Sequence, residues 1–288
     1  MIVQMSTLGT NGRFGNQIFQ YFFLKLVETK LGYEILTPPW LGNEFFNLPH
    51  AKKILESLNY TQFKNFSSAN DLPSLDLKRI QEVIKSAHLN TVDIVGYFQY
   101  HTQHLLEYQE LFNQTFEIAP SLIDLVKIAL KPLKEEAQPL ISIHFRAGDY
   151  FDYEKSGHHI FVPPSIDEIA HKINQIYAQI KERGPVIYLA SDDLAYASSL
   201  FRSKNIPHIT SKDLDFSESE ENSLFLDFIL FTLADILLIS NSSFSFAGAM
   251  LNKKAKYFFR PRMEDKKYVA FEPWNDFILR KKISTLYV

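Results

Sequence analysis

No cysteine occurs in the 288 residues. Its absence excludes disulfides, thiolate metal sites and a cysteine nucleophile together, and it fits a reducing compartment. The expectation is a cytoplasmic protein. No window reaches the ~18 uninterrupted apolar residues of a membrane span. The opening MIVQMSTLGTNGRFGN has neither a basic n-region nor an apolar h-region, so neither secretion nor a transmembrane segment is expected. Long basic runs are also missing, and the balance of 30 Lys and Arg against 33 Asp and Glu leaves a net charge of -3. Nucleic acid is not an expected partner, because binding its phosphates needs clustered cations. Tryptophan is scarce at 2, yet Phe reaches 25 and Tyr 14. Aromatic-rich cores account for these rings more simply than a stacking surface does.

What is there reads as an ordinary globular chain, with 46% hydrophobic and 22% charged residues. Its length suits one large domain or two of roughly 140 residues. The start reads as strand MIVQMST, glycine-rich loop LGTNGRFGN, helix QIFQYFFLKLVETKLG closed by Gly32, and strand YEILT. Apolar residues at Ile18, Phe22 and Leu26, with Phe23, Val27 and Leu31 beside them, keep helical spacing. Residues 40–90 are less regular, and DIVGYFQY at 93–100 reads as a buried strand ahead of a helical stretch from about 102 to 113. LIDLVKIALKPLKEEAQP is the expected linker, with the boundary near residue 138. Beyond it strands 140–145, PVIYLAS, IPHIT and DILLIS alternate with helices, which implies a parallel sheet with right-handed crossovers. The expected division is 1–138, 139–270 and a tail 271–288 that crosses back to the first domain. No internal repeat or low-complexity segment is evident.

In such sheets ligands bind beyond the carboxyl ends of strands, so function is expected in four loops: GTNGRFGN, HFRAGDY, SDD and NSSFS. Asn241, Ser242 and Ser243 open a helix of small and apolar residues. They cap it, and the same N–H groups and hydroxyls make an anion site. Arg146 at a strand end suits a phosphate or pairs with a carboxylate, and Gly148 allows a sharp turn. His144 reads as a core histidine or a site residue. Asp192 and Asp193 cap a helix or accept hydrogen bonds from a base or ribose.

Three rivals compete for these loops. The glycine loop departs from the dinucleotide fingerprint because Thr10 stands where the first glycine belongs, leaving Gly12 and Gly15 in register. With Glu34 as a ribose acid, an NAD-dependent oxidoreductase remains an alternative; the Tyr-x-x-x-Lys spacings in YFFLK and YTQFK are chance. DLD at 213–215 has the spacing of a divalent-cation site, but its surroundings, SKDLDFSESEEN, suit a solvated acidic loop. His101 and His104 lack a third ligand, so no metal is expected. A non-catalytic nucleotide-sugar or glycan binder is the third alternative.

Taken in order, GRFGNQIFQY, ISIHFRAGDY, YLASDD and ISNSSFSFAGAML resemble the motif series of the α-1,2-fucosyltransferase family, and the first also resembles protein O-fucosyltransferases. The resemblance spans residues 12–251. It implies an α/β protein of the GT-B type, two Rossmann-like domains facing across a cleft, with GDP-fucose as donor, a glycan acceptor and no cofactor. It implies further that Arg146 grips the donor β-phosphate, that Ser242, Ser243 and Phe244 line the pyrophosphate site, and that His144 and one of Asp192 or Asp193 contact the nucleoside. Asn16 would face the transferring sugar. The chain departs from the family where Ala147 replaces a second arginine and where Phe246 and Ala247 replace tryptophans. Asp149 is a candidate base for the acceptor hydroxyl or an orienter of Arg146, with a phosphate oxygen as the other proton acceptor. The linkage implied is α-1,2 to a galactose-type sugar. Oligomeric state is not readable.

Overall fold

The computed structural model describes residues 1–49, 62–64, 77–86, 90–155, 157, 160–180, 184–214 and 220–281. Contacts divide the chain into two compact units, Met1–Ala119 with Trp274–Ile278, and Pro120–Pro273 with Leu279–Val288. Tyr60 of YTQFK, Asp215 of the DLD spacing and much of the less regular 40–90 stretch lie outside the described residues.

In unit 1 the elements run β1 (Ile2–Gln4), α1 (Phe14–Leu31), β2 (Glu34–Leu36), α2 (Leu41–Phe45), β3 (Gln62–Lys64), α3 (Leu77–Ser86) and β4 (Thr91–Val95). A 3₁₀ turn Thr102–Tyr108 and α4 (Gln109–Thr115) follow. Among the described residues the strands form a sheet in the order β2-β1-β4-β3, parallel throughout. Helix α1 is buried on nearly every side, so its apolar residues continue around the helix instead of keeping to one stripe. Its rings meet those of α4. Phe112 is fully buried, 4.9 Å from both Phe22 and Phe116 and 5.5 Å from Trp274. Trp274–Ile278 is fastened by Thr102, whose N–H and hydroxyl both donate to the Asp276 carbonyl at 3.0 Å.

Two sequence expectations shift here. The strand expected over 93–100 ends at Val95, because Phe98 takes a left-handed backbone at φ 52° that no strand accommodates. The helical stretch after it starts as a 3₁₀ turn.

In unit 2 the elements run α5 (Pro120–Leu130), β5 (Leu140–Phe145), α6 (Tyr150–Lys155), α7 (Ile166–Gln179), β6 (Val186–Ser191), α8 (Leu194–Ser203), α9 (Glu220–Leu233), β7 (Ile236–Leu238), α10 (Ser243–Leu251), β8 (Tyr257–Pro261) and β9 (Tyr268–Ala270). A 3₁₀ turn, Ser211–Asp213, lies between α8 and α9. The described sheet order is β6-β5-β7-β8-β9, parallel except for the β8–β9 pair. The expected strand IPHIT contributes a single bridge, Ile209 to Tyr188. The segment expected as a linker begins as α5, which buries Val126 and Leu130 and packs on α9. By its contacts, unit 2 begins at Pro120. Strand β5 is buried along its whole length, as a central parallel strand covered on both faces must be. No described helix is long and apolar enough to cross a membrane.

Phe112→Ala should lower stability by about 3–5 kcal/mol, as expected for emptying a ring-sized hole. Chemical denaturation followed by fluorescence of the two tryptophans would read it, and a loss under about 1 kcal/mol would show that the aromatic cluster does not carry unit 1.

Candidate functional site

In unit 2, three of the sequence-predicted segments meet at the carboxyl ends of β5, β6 and β7. Arg146, the first residue beyond β5, donates through one terminal nitrogen to Asp149 Oδ1 at 2.7 Å and pairs through the other with Asp192 Oδ2 at 2.9 Å. Its guanidinium lies 5.2 Å from the centroid of the Tyr150 ring. Two carboxylates and a ring face fix the plane of a group whose five N–H bonds radiate in that plane. The Arg146 side chain is 12% exposed, so the cation is held rigidly yet open to solvent.

The contacts around it account for the local sequence. Asp192 Oδ1 accepts from the Ala147 N–H at 2.9 Å. At Gly148 a Cβ would lie 2.2 Å from Asp192 Oδ2, so only glycine lets this carboxylate reach Arg146. Ala147 is fully buried within the unit's core, where an arginine would not fit. Asp193 is exposed and caps α8 by accepting from the Tyr196 N–H at 3.1 Å.

One hydroxyl joins two strand ends. Ser240 donates to the His144 carbonyl at 2.6 Å and accepts from the Arg146 N–H at 2.8 Å, tying the end of β5 to the segment that enters α10. His144 is 4% exposed, and its Nδ1 lies 2.8 Å from Ser245 Oγ of α10. Burial and then the Arg146 charge pull its pKa down to about 3, so the ring is neutral near pH 7. Asn241 uses its whole amide inside the protein. Nδ2 donates to the carbonyls of Ile160 and Arg280, each at 2.8 Å, while Oδ1 accepts from Arg260 at 2.5 Å and from the Arg280 N–H at 2.9 Å. Tyr150 donates its hydroxyl to the Asn241 carbonyl at 3.0 Å. Asn241 is thus a clasp for the loop.

Ser242 caps α10, accepting from the Phe244 N–H, and Phe244 is half-buried with its ring 5.7 Å from His144. Ser243 opens the first turn of α10. The start of this helix supplies backbone N–H groups and the positive end of a dipole, on the strand beside the one that ends in Arg146. Together they can hold a diphosphate or a similar anion.

Asn16 belongs to unit 1. Its Oδ1 accepts from Gln99 Nε2 at 2.8 Å. The loop before it is braced by two glutamines of α1. Gln17 donates to the Gly12 carbonyl and Gln20 to the Asn11 carbonyl, each at 3.0 Å. The candidate metal residues sit elsewhere in the described structure. Asp213 accepts from the backbone and hydroxyl of Thr210, and His101 accepts from the Gln103 N–H while its ring meets Phe277. Sequence reasoning missed Ser240, Tyr150, Arg260 and Gln99. Only Ser240 had a signal, its place at a strand end directly before NSS.

The fold is α/β of the GT-B type, and the loops that carry Arg146 and the α10 start lie side by side at the strand ends. The profile of glycosyl transferase family 11 matches residues 2–275, and the chain belongs to that family. The expectation of a transferase in the fucosyltransferase lineage, rather than an oxidoreductase, is borne out. No curated protein sequence matches the chain. Among solved structures it resembles an arginine-to-lysine mutant of Arabidopsis thaliana FUT1 in complex with GDP, at TM-score 0.57 and 12% identity, covering 92% of this chain and 71% of that one. It also resembles POFUT1 in complex with GDP-fucose, at TM-score 0.56 and 13% identity over 90% and 97% of the two chains. NodZ α-1,6-fucosyltransferase soaked with GDP-fucose follows at TM-score 0.52 and 12% identity over 98% and 99%. At these identities the likeness is one of fold.

His144 makes stability depend on pH. Its folded pKa lies below the ordinary value of about 6.5, so the unfolded chain takes up the proton first. The stability gained from keeping His144 neutral is complete above about pH 6.5 and is lost as pH falls toward 3. Thermal midpoints of the wild type and His144→Asn, measured from about pH 4 to 7.5, should diverge in slope below about 6.5; parallel curves would mean that His144 titrates alike in the folded and unfolded chains.

Proposed function

We propose that this glycosyltransferase moves fucose from GDP-fucose to a hydroxyl of a glycan acceptor with inversion at the anomeric carbon, the acceptor being a galactose-type sugar taken at O2. The observation that carries the reading is the Arg146 guanidinium, pinned by Asp149 and Asp192 and linked through Ser240 to the segment that opens α10. The order of the four motifs and the GDP-fucose in the POFUT1 and NodZ structures support fucose as the sugar. The α-1,2 linkage rests on the motif resemblance alone.

In this reading the bond between the sugar's C1 and the diphosphate oxygen breaks as the acceptor oxygen adds to C1. GDP leaves with one additional negative charge. That charge develops where Arg146 and the first turn of α10, with Ser242 and Ser243, already point their donors, so little reorganisation is needed as the bond breaks. Asp149 and Asp192 act through Arg146 by holding its plane, and Gly148 admits Asp192. His144 holds α10 through Ser245, and Phe244 and the Asp192–Asp193 edge border the nucleoside. Asn16 is the residue proposed to face the transferring sugar. The acceptor's proton passes to a base or to a phosphate oxygen of the departing GDP. With Asp149 engaged by Arg146, the phosphate route is the better supported. In this reading unit 2 serves the nucleotide sugar and unit 1 the acceptor. A cytoplasmic location stays part of the proposal on the cysteine-free composition.

Release of GDP from GDP-fucose should proceed with the same rate in EDTA, and thermal shifts should appear with GDP and not with UDP or NAD. A shift with NAD alone would favour the oxidoreductase reading, and binding without release a non-catalytic one. Arg146→Ala should cut the release rate by about 10² to 10³-fold while far-UV circular dichroism stays unchanged; near-normal release would remove Arg146 from the reaction. NMR of the product would report the linkage.

A further inference from the structure

We infer that Tyr150 is a positioning residue for the diphosphate, a strut that holds the Arg146 guanidinium and the segment opening α10 at a fixed separation. The inference rests on the reading of these two groups as the ones that receive the diphosphate of GDP-fucose, and every residue it uses belongs to unit 2.

The first observation is that the two groups are joined twice. Ser240 ties their backbones, accepting from the Arg146 N–H at 2.8 Å and donating to the His144 carbonyl at 2.6 Å. That tie acts on the main chain and leaves the guanidinium, several rotatable bonds further out, to be placed by other contacts. Asp149 and Asp192 place it relative to the ends of β5 and β6. Tyr150 places it relative to α10. One end of this residue is the ring 5.2 Å from the guanidinium carbon, and the other is the hydroxyl that donates to the Asn241 carbonyl at 3.0 Å. Ring and hydroxyl form one rigid body, so the span between cation and carbonyl is set by covalent geometry.

The second observation is what that carbonyl governs. It belongs to the planar peptide whose N–H is that of Ser242, and this N–H donates to the Ser240 carbonyl at 2.9 Å. The plane is therefore held at both edges. Ser242 is the N-cap of α10, so the tilt of this plane sets where the first-turn N–H groups of the helix point.

The third observation is burial. Tyr150 is 5% exposed and Asn241 fully buried. Phe161 packs on the Tyr150 ring at 5.2 Å, and the Tyr150 N–H donates to the Ala147 carbonyl at 2.8 Å, so ring and backbone are both anchored. A buried carbonyl that loses its donor carries a desolvation penalty and turns toward whatever replaces it, which tilts the peptide plane. The charge of a departing diphosphate is stabilised best by donors already in place when the bond breaks. Tyr150 thus acts on that charge through Arg146 and α10.

The experiment uses the full chain and two ligands that share guanosine and differ in phosphate. Tyr150→Phe keeps the ring and its packing and removes only the hydroxyl. It should weaken the binding of GDP by about 10-fold, the scale of one hydrogen bond to a charged group, and leave guanosine within about twofold. Its kcat for GDP release from GDP-fucose should fall by about 10- to 100-fold, the loss that follows a slight misplacement at a reacting centre. A general loosening of unit 2 would instead weaken GDP and guanosine alike. Tyr150→Leu, which also withdraws the ring face from Arg146, should lose more than Tyr150→Phe in both GDP affinity and kcat. In an Arg146→Ala background Tyr150→Phe should lose less than in the wild type, because the strut then has one end only. Unchanged GDP affinity or kcat for Tyr150→Phe, equal weakening of both ligands, a Tyr150→Leu no worse than Tyr150→Phe, or fully multiplicative losses in the double variant would each overturn the inference while leaving the functional reading intact. A wild-type chain that binds no GDP would overturn the functional reading and this assignment together.

Discussion

Strand β5 is buried from end to end, and that burial governs what surrounds it. A central parallel strand has no solvent face on which to place polar groups, so each polar side chain it carries must find a partner inside. Ser142 donates to the Leu230 carbonyl at 2.9 Å and His144 meets Ser245 at 2.8 Å. Where the strand ends, its unpaired backbone meets Ser240. One hydroxyl there satisfies a carbonyl and an N–H from alternate residues. Arg146 emerges at the first position where a charge can reach solvent, and the two carboxylates that hold it come from its own turn and from the end of β6. The rigidity of the Arg146 cluster is in this sense a by-product of satisfying a buried strand.

The same logic operates in unit 1 with different residues. Helix α1 is so thoroughly buried that its glutamines have no water to turn to. Gln17 and Gln20 therefore use their amides on the carbonyls of the glycine loop. At the other end of that loop Ser6 is gripped by Asp93, a buried carboxylate on β4 that accepts from its N–H at 3.0 Å and its hydroxyl at 2.6 Å. The loop looks flexible by composition but is fastened at both ends. Its shape follows from the polar members of an otherwise apolar helix and strand.

Much of the site was legible in the sequence because strand–loop–helix order fixes where loops fall. HFRAGDY, SDD and NSSFS had to come together once the strands were parallel and adjacent. Pairwise roles were less legible. Arg146 read equally as a phosphate ligand or an ion-pair partner, and only the carboxylates on two different loops show how it is held. Asn241 read as a ligand residue within NSS, yet its amide is fully used in closing the loop, partly by Arg260, a fully buried arginine that no motif announced. Gln99 read as part of a strand. A strand would have alternated its side chains between two faces, whereas the left-handed turn at Phe98 redirects them.

By itself the sequence determined the α/β class, the positions of the helices and strands that carry the motifs, and the family, because hydrophobic periodicity and motif order are local or one-dimensional properties. The tertiary structure alone decided which carboxylates orient Arg146, why a small residue stands at Ala147, and how Asn241 closes its loop. Those outcomes depend on contacts between residues tens of positions apart, and on the few ångströms that separate a tolerated side chain from a clash.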